Sequence, residues 1–151
     1  MSVTRGDALR FASRLPLAVI FRAVGALLPT FEAKPTTVQV IDTTTNTVTA
    51  AKPVVLGPGR IDITPDGAFA YVANSFFNLV SMIDIATNTV IATVAVVTPV
   101  GIASTPNGAF VYVTNRDSNT VSVIDTTTNI VVAIIRVGDS PFAIAFPTRG
   151  R

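Results

Sequence analysis

The sequence predicts an all-β fold made of repeated four-stranded antiparallel sheets, and three observations predict it. An apolar strand that ends in Ile-Asp recurs at spacings of 42 and 41 residues, as Val38–Asp42, Val80–Asp84 and Val121–Asp125. A proline recurs 41 and 42 residues apart, at Pro58, Pro99 and Pro141. The sequence between these marks consists of short apolar strands and tight turns. A period of about forty residues with this content is typical of a β-propeller blade.

The repeat over residues 58–97 predicts one blade of four strands. A first strand at Gly59–Ile63 ends at a Thr-Pro-Asp-Gly turn, in which Pro fixes φ and Gly tolerates the conformation that follows. We expect the other three strands at Ala68–Ala73, Leu79–Asp84 and Thr89–Val97. Asn88 suits the last turn because Asn tolerates positive φ better than other residues with a side chain. The strands are apolar on both faces, so each sheet needs cover above and below.

The second complete copy covers residues 99–138, with strands expected at Phe110–Thr114, Val121–Asp125 and Ile130–Val137. Partial blades are expected on either side: two outer strands within 38–56, and an inner strand at 142–146 within 141–151. The repeat region 38–151 therefore predicts an incomplete propeller, because a closed ring needs about four blades or more. A blade face has an area of about 350 Å², and leaving it uncovered loses several kcal/mol of hydrophobic stabilisation at about 25 cal/mol per Å² of buried apolar surface. We expect either a fragment of a longer propeller, which is favoured, or one protomer of an assembled ring.

Residues 1–37 do not match the repeat. Arg5, Arg10 and Arg14 precede an apolar stretch, which is typical of a secretory leader, but Arg22 interrupts that stretch and no clear Ala-x-Ala cleavage site follows. A disordered or mis-started N-terminus is an equally open interpretation. The apolar run is far shorter than the about 20 residues that a membrane-spanning helix needs, so no transmembrane span is expected.

Composition excludes several classes of function. From residue 35 onward six basic residues meet seven Asp, so no basic stripe supports nucleic-acid binding. The chain has no Cys and no His, which removes disulfides, thiolate chemistry, His-ligated zinc, imidazole triads and haem attached through Cys-x-x-Cys-His. We expect no catalytic residue, metal site or cofactor in the chain itself.

Differences between the copies indicate two candidate sites. Arg60 and Asp62 stand on an inner strand where the other copies have Gly or Ala, and residues two apart project from the same strand face. They predict a polar binding group at the central channel, a self-paired Arg–Asp bridge that fills a widened gap, or a degenerate blade. Phe76 and Phe77 stand where the second copy has Arg116 and Asp117. They predict a contact patch for another subunit, or side chains that tuck under the N-terminal segment.

Two recurrent features favour a structural role. An Asp precedes an Asn by four residues in each Thr-rich turn, a pattern that could suggest calcium. One Asp per loop is too few for an ion that takes about six to eight oxygens, so we expect the Asp to accept hydrogen bonds from its own turn. Tyr71, Tyr112, Phe69 and Phe110 hold matching repeat positions, which favours a core between blades over ligand stacking.

The chain resembles the YVTN-family β-propeller repeat. The resemblance covers residues 38–146 and rests on Tyr-Val-Ala-Asn at 71–74, Tyr-Val-Thr-Asn at 112–115, Val-Ile-Asp-Thr-Thr-Thr-Asn-Thr-Val at 40–48 and the Thr-Pro-Asp-Gly turn. It implies a propeller usually of about seven blades, with the strand after the Pro innermost, in surface-layer, secreted or periplasmic proteins. Similar propellers occur in redox subunits and in lactonases.

These observations favour a non-catalytic scaffold or recognition module at the cell surface or in the periplasm, with a protein or cell-surface partner. Other blades or subunits are needed to complete its ring. The alternative is the propeller portion of an oxidoreductase subunit or a lactonase-like enzyme whose active-site residues lie outside this chain. A truncated remnant of a propeller gene is a third interpretation, based on the altered last turn at 147–150.

Overall fold

The computed structural model describes residues 17–22, 37–54 and 57–147, and regular structure in these ranges is almost entirely β-strand. The strands are β1 (Leu17–Arg22), β2 (Thr37–Asp42), β3 (Thr47–Pro53), β4 (Pro58–Ile63), β5 (Phe69–Asn74), β6 (Leu79–Asp84), β7 (Thr89–Ala95), β8 (Pro99–Ser104), β9 (Phe110–Asn115), β10 (Thr120–Asp125) and β11 (Ile130–Arg136). A 3₁₀ turn at Arg116–Ser118 joins β9 to β10. No helix in the described ranges has the length and apolarity to cross a bilayer.

The strands form two four-stranded sheets, ordered β4-β5-β6-β7 and β8-β9-β10-β11, and a three-stranded sheet ordered β1-β2-β3. All neighbouring strands are antiparallel. The predicted all-β fold class of four-stranded blades is therefore confirmed. The strand bounds differ from the expected ones by one or two residues at most in the sheet β4–β7, where β4 begins at Pro58 and β5 at Phe69.

The sheets repeat each other in register as well as in order. Phe69 lies opposite Asp84 in one sheet, and Phe110 lies opposite Asp125 in the next. The two outer strands of every sheet carry a register shift at the same repeat position, between Val40 and Ile41, Met82 and Ile83, and Val123 and Ile124. A bulge at this position increases strand twist, so each sheet acquires the twist in the same place and the sheets can stack.

Two apolar cores join the sheets face to face. The core between β4–β7 and β8–β11 contains Tyr71, Val80, Met82, Val111 and Ile124, all almost fully buried. The core between β1–β3 and β4–β7 is centred on Val38, Ala70, Val72 and Ile83. The sheet β4–β7 is thus covered on both faces, which explains why its strands do not alternate between apolar and polar residues.

The first sheet has one strand more than the sequence indicated. β1 pairs with β2, with Leu17 opposite Asp42, which is the position that β5 takes beside β6. This strand belongs to the apolar run that was interpreted as part of a leader, and nothing in its sequence matches the repeat. Residues 1–16 and 23–36 lie outside the described residues, so the leader hypothesis stays a prediction.

The last segment of the described chain, residues 141–147, forms no strand. It nevertheless lies against β8, because a Cβ placed on Gly101 would come within 2.7 Å of the carbonyl oxygen of Phe142 and 3.1 Å of the Ala143 Cα. Phe146 packs edge-on against Tyr112, with ring centroids 5.0 Å apart. The segment expected as an inner strand of a further blade therefore occupies the flank of β8 without a strand partner in the described part of the chain.

Candidate functional site

Asp62 links the innermost strands of two neighbouring blades. It lies on β4, and its Oδ2 accepts hydrogen bonds from the backbone N–H of Ser104 at 2.6 Å and from the Ser104 hydroxyl at 2.5 Å. Ser104 is the last residue of β8. Sequence reasoning did not single out Ser104, although the signal is present: the corresponding residue of the preceding copy is the apolar Ile63.

Arg60 lies on the exposed part of β4, with its guanidinium carbon 5.1 Å from the ring centroid of Phe142. Arg60 and Asp62 do not pair with each other, since the ion pair found within the described ranges is that of Arg116 with Asp117. The self-paired bridge proposed from the sequence is therefore wrong. Asp62 instead contacts Ser104 of the following repeat, and Arg60 contacts Phe142 of the terminal segment 141–147. The channel-binding hypothesis for this pair stays a prediction.

A cleft of about 590 Å³ opens beside Asp62. Such a volume is in the range of small-molecule sites, about 300–1,000 Å³. The lining is largely apolar and comes from two turn prolines, from β8 and from the terminal segment: Pro65, Pro106, Ile102–Ser104 and Ile144–Pro147. Asp62 and Ser104 are its polar groups: Asp62 accepts from Ser104, and the Ser104 hydroxyl also donates to the Ile63 carbonyl at 3.3 Å. The cleft can therefore enclose an apolar group, and the chain offers no His as a base for the Ser104 hydroxyl.

Phe76 and Phe77 lie on the turn between β5 and β6, with 61% and 50% of their surface exposed. The Phe76 ring covers the backbone of Gly57, whose φ is +82°. The strand register places Phe76 and Phe77 at the positions of Asp117 and Ser118, so the expected correspondence with Arg116 and Asp117 is wrong by one residue. At the position of Phe76, Asp117 Oδ1 accepts from Arg116 at 3.0 Å and Asp117 Oδ2 accepts from the Thr98 hydroxyl at 3.1 Å. The contact-patch hypothesis stays a prediction, and the N-terminal residues 23–36 that could cover the pair lie outside the described residues.

The Asp of each Thr-rich turn binds the turn itself. Asp125 Oδ1 accepts from the backbone N–H of Thr127 at 2.8 Å and of Thr128 at 3.0 Å. Asp42 Oδ1 likewise accepts from two N–H groups of its turn, and Asp84 Oδ1 accepts from the N–H and the hydroxyl of Thr87. Hydrogen bonds from the turn hydroxyls and N–H groups lower the pKa of Asp125 below its ordinary value. The following Asn adopts positive φ, +54° at Asn88 and +55° at Asn129. The expected turn role is confirmed.

No metal cluster adds to these turns in the described part of the chain, where no three or more Asp, Glu, Cys or His residues come together.

One buried amide at the end of the second strand of each complete blade, Asn74 and Asn115, was not predicted. Asn74 Nδ2 donates to the Val72 carbonyl and the Ser81 hydroxyl, each at 3.0 Å. Asn115 Nδ2 donates to the Ser122 hydroxyl at 2.8 Å. The recurrent pairing of Asn with a Ser seven residues later could have indicated this bond. Within the described ranges the Oδ1 atoms of Asn74 and Asn115 are buried without a partner.

Tyr71 makes a polar contact across the blade interface. Its hydroxyl donates to Asn129 Oδ1 at 3.1 Å, and the side chain is 1% exposed. Burial, with smaller contributions from the charges of Asp125 and Asp66, raises the pKa of Tyr71 to about 12. The expectation that Tyr71 belongs to the core between blades is confirmed.

Stacked antiparallel sheets whose innermost strands are linked side by side define a segment of a β-propeller. Residues 29–130 match the family described as lactonase, 7-bladed beta-propeller. The match covers more than half of the chain, so the chain belongs to this family.

Solved structures support the same fold. Hydrazine synthase of Kuenenia stuttgartiensis matches 61% of this chain at 39% identity and a TM-score of 0.58. A functionally unknown protein from Desulfotomaculum acetoxidans matches 87% of this chain at 19% identity and a TM-score of 0.71. Dihydro-heme d1 dehydrogenase NirN in complex with DHE matches 81% of this chain at 20% identity and a TM-score of 0.62.

The chain covers only 26%, 42% and 30% of those three structures. It therefore corresponds to only part of each of these proteins. No curated protein sequence matches it.

Proposed function

We propose that this propeller segment is a non-catalytic scaffold or recognition module. The observation that carries the proposal is that the Asp62 carboxylate accepts two hydrogen bonds from Ser104 of the next blade. An acidic group engaged in this way joins two blades and is not placed to act as a general base. The absence of His and Cys supports the same conclusion, because the usual nucleophile–base pairs require one of them.

The recognition surface of this module is the edge that carries the turns at 75–78 and 116–119. In the first turn Phe76 and Phe77 present large exposed rings, and in the second Arg116 and Asp117 present an exposed ion pair. Exposed aromatic side chains are common anchors of protein interfaces. We assign the aromatic turn as the contact for a protein or cell-surface partner.

We also propose that the chain is a YVTN-type repeat protein of the cell surface or the periplasm. The strings Tyr-Val-Ala-Asn and Tyr-Val-Thr-Asn at the ends of β5 and β9 support this assignment, as does the Asn–Ser hydrogen bond that they make in both blades.

A binding experiment tests the recognition function. The purified chain is expected to co-sediment with cell-envelope fragments of its native host, and the double variant Phe76→Arg, Phe77→Asp is expected to bind at least about tenfold more weakly, a loss of about 1.4 kcal/mol. The matched control changes Arg116 and Asp117 to Ala and should bind like the wild type. Equal binding by all three proteins, or binding by none, would refute the aromatic contact.

The second candidate function is the propeller portion of an oxidoreductase subunit or of a lactonase-like enzyme. The 39% identity to a propeller part of hydrazine synthase favours a redox assembly, and the family match favours a lactonase. With neither Cys nor His in the chain, residues outside it would hold the redox centre. Recovery of the tagged chain from its host together with a haem-containing partner, or within a larger assembly that releases acid from lactones when the isolated chain does not, would support this candidate against the first.

A further inference from the structure

The turn between β8 and β9 has an Asn where the equivalent turn between β4 and β5 has an Asp. The earlier turn is Thr-Pro-Asp-Gly at 64–67, and the later one is Thr-Pro-Asn-Gly at 105–108. The side chain of Asn107 is exposed. A glycine follows Asn107 in the sequence, whereas the other seven asparagines precede Thr, Ser, Leu, Arg or Ile. The backbone nitrogen after Asn107 is therefore the least hindered one that an asparagine side chain of this protein can meet.

The two turns have the same hydrogen bonds. Asp66 Oδ1 accepts from the hydroxyl of the turn Thr at 2.6 Å and from the backbone N–H two residues later at 3.0 Å. Asn107 Oδ1 accepts from the equivalent groups at 2.7 Å and 3.2 Å. The glycine that follows has a φ of +73° in the earlier turn and +71° in the later one. A carboxylate and an amide thus serve equally as the acceptor of this turn.

The amide nitrogen of Asn107 has no part in holding the turn. Within the described ranges Nδ2 of Asn107 donates no hydrogen bond, and both contacts of the side chain are made by Oδ1. A surface cavity of about 330 Å³ is lined by Asn107 together with Thr105, Pro106 and Phe110, so water reaches the amide. Replacement of the amide NH₂ by oxygen would leave every hydrogen bond of the turn in place.

We propose that Asn107 is a site of spontaneous deamidation, which converts it to the residue that the preceding blade has at this position. The backbone nitrogen of Gly108 attacks the side-chain amide carbon of Asn107 and forms a cyclic imide. The amide nitrogen leaves as ammonia and takes the proton of the Gly108 N–H. Water then opens the imide: cleavage at the side-chain carbonyl gives isoaspartate's isomer, the ordinary aspartate, and cleavage at the main-chain carbonyl gives isoaspartate. The net change is the uptake of one water and the loss of one ammonia.

The turn slows this attack without preventing it. The Gly108 N–H donates to the Thr105 carbonyl at 2.8 Å, and this bond must open before the nitrogen can reach the side chain. Surface turns open locally at a low cost in free energy. The atom nearest to a Cβ placed on Gly108 is Pro65 Cδ, at 3.6 Å, so the turn has room to move. We expect the folded chain to react more slowly than the unfolded chain, and faster at Asn107 than at its other asparagines.

The turn also favours the aspartate once it has formed. A carboxylate accepts hydrogen bonds more strongly than an amide. In the preceding blade the Thr64 hydroxyl, followed by the Ala68 N–H, lowers the pKa of Asp66 below its ordinary value. An ionised carboxylate is a poor target for a backbone nitrogen, so Asp66 does not form the imide at neutral pH. The preceding blade already contains the end state of the reaction.

The new charge appears away from the aromatic turn at 75–78. Successive turns of an antiparallel sheet lie at opposite ends of its strands, so Asn107 and the aromatic turn are at opposite ends of the blades. Deamidation lowers the net charge of +2 by one unit and places a carboxylate next to Pro106, which lines the cleft beside Asp62. The reaction needs no partner, and its outcome is independent of the recognition function.

Peptide mapping by mass spectrometry tests the reaction. The folded chain is incubated at mildly alkaline pH in water enriched in heavy oxygen, and the carboxylate formed at position 107 should carry the label. The other asparagines should convert several-fold more slowly, and no isoaspartate should form at Asp66. Asn107→Gln is the control and should stay unconverted, because its longer side chain must close a larger ring. No conversion in the folded chain while the urea-unfolded chain converts, or equal conversion at the other asparagines, would overturn the proposal.

A second pair of variants tests whether the turn accepts the product. Asn107→Asp should unfold at the same urea concentration as the wild type or at a higher one, because the carboxylate keeps both hydrogen bonds. Asn107→Ala loses both bonds and should unfold at a lower concentration. An Asp variant as unstable as the Ala variant would show that the turn does not accommodate the product, and would overturn the equivalence of the two turns.

Discussion

Tyr71 and Tyr112 hold equivalent positions of the two complete blades and have different surroundings. Tyr71 is 1% exposed and donates to Asn129 of the following sheet, whereas Tyr112 is only partly buried and its ring meets Phe146. Within the described ranges the Tyr112 hydroxyl has no hydrogen-bond acceptor. The contribution of each tyrosine is therefore set by whether a further blade covers it.

Replacement of the two tyrosines should separate these effects. Tyr71→Phe should lower the free energy of unfolding by about 0.5–1.5 kcal/mol, the net value of one hydrogen bond. Tyr112→Phe is the matched control and should change it by less than about 0.5 kcal/mol. Urea unfolding at pH 7 measures both, and an equal loss in the two variants would contradict the interpretation of the Asn129 contact.

The same tyrosine predicts a pH dependence. Its pKa rises from 10.0 to about 12 on folding, so the phenol binds its proton more tightly in the native state. The stability that it contributes is complete below pH 10 and is lost as pH rises from 10 to about 12. Tyr71→Phe should make the unfolding free energy less dependent on pH in this window, with Tyr112→Phe again as the comparison. A slope unchanged by Tyr71→Phe would show that another group titrates.

At the scale of elements, the inner strands carry the differences between blades. At one repeat position β4 has Arg60 and β8 has Gly101, and at the next inward-facing position β4 has Asp62 and β8 has Ala103. Gly101 admits the segment 141–147 to close contact, and its N–H donates to the Thr114 hydroxyl at 2.7 Å. Arg60 reaches over the same segment at Phe142. The inner strands thus hold the next repeat in place.

A methyl group at Gly101 should displace this segment. The Cβ of Gly101→Ala would lie 2.7 Å from the Phe142 carbonyl oxygen and 2.8 Å from Thr114 Oγ1, and overpacking of this kind costs about 1–3 kcal/mol. Chymotrypsin should then cleave after Phe142 several times faster than in the wild type. Gly59→Ala, whose Cβ would meet atoms no closer than 3.6 Å, serves as control. Unchanged cleavage in Gly101→Ala would contradict the close packing.

The elements also show what a sequence can predict about such a protein. The repeat period predicted the positions of β4–β11, because every blade needs the same turns and the same bulge. The strands recognised in one copy therefore indicated those of the other. β1 was not found because the sequence of Leu17–Arg22 does not resemble that of β5, although β1 takes the corresponding place beside β2. The Asp62–Ser104 contact was not found because its residues are 42 positions apart and each differs from its own repeat equivalents.

At the scale of the whole molecule, stability is a sum over neighbouring sheets. Each sheet contacts the next through one core, and the two cores have separate membership. In such a stack a local change weakens the interface where it lies and affects distant repeats less. The chain should therefore loosen one sheet at a time.

The equivalent residues Ile83 and Ile124 test this behaviour. Ile83 belongs to the core beneath β2, and Ile124 belongs to the core between β4–β7 and β8–β11. Replacement of a buried Ile by Ala costs about 2–5 kcal/mol, and by Val about 0.5–1.5 kcal/mol. Ile83→Ala should increase hydrogen exchange of the β2 amides, whereas Ile124→Ala should increase exchange of the β9 and β10 amides and leave β2 protected. The Val variants should show the same pattern with smaller changes. If either Ala variant raises exchange equally in all three sheets, the stack unfolds as one unit and the two cores are not independent.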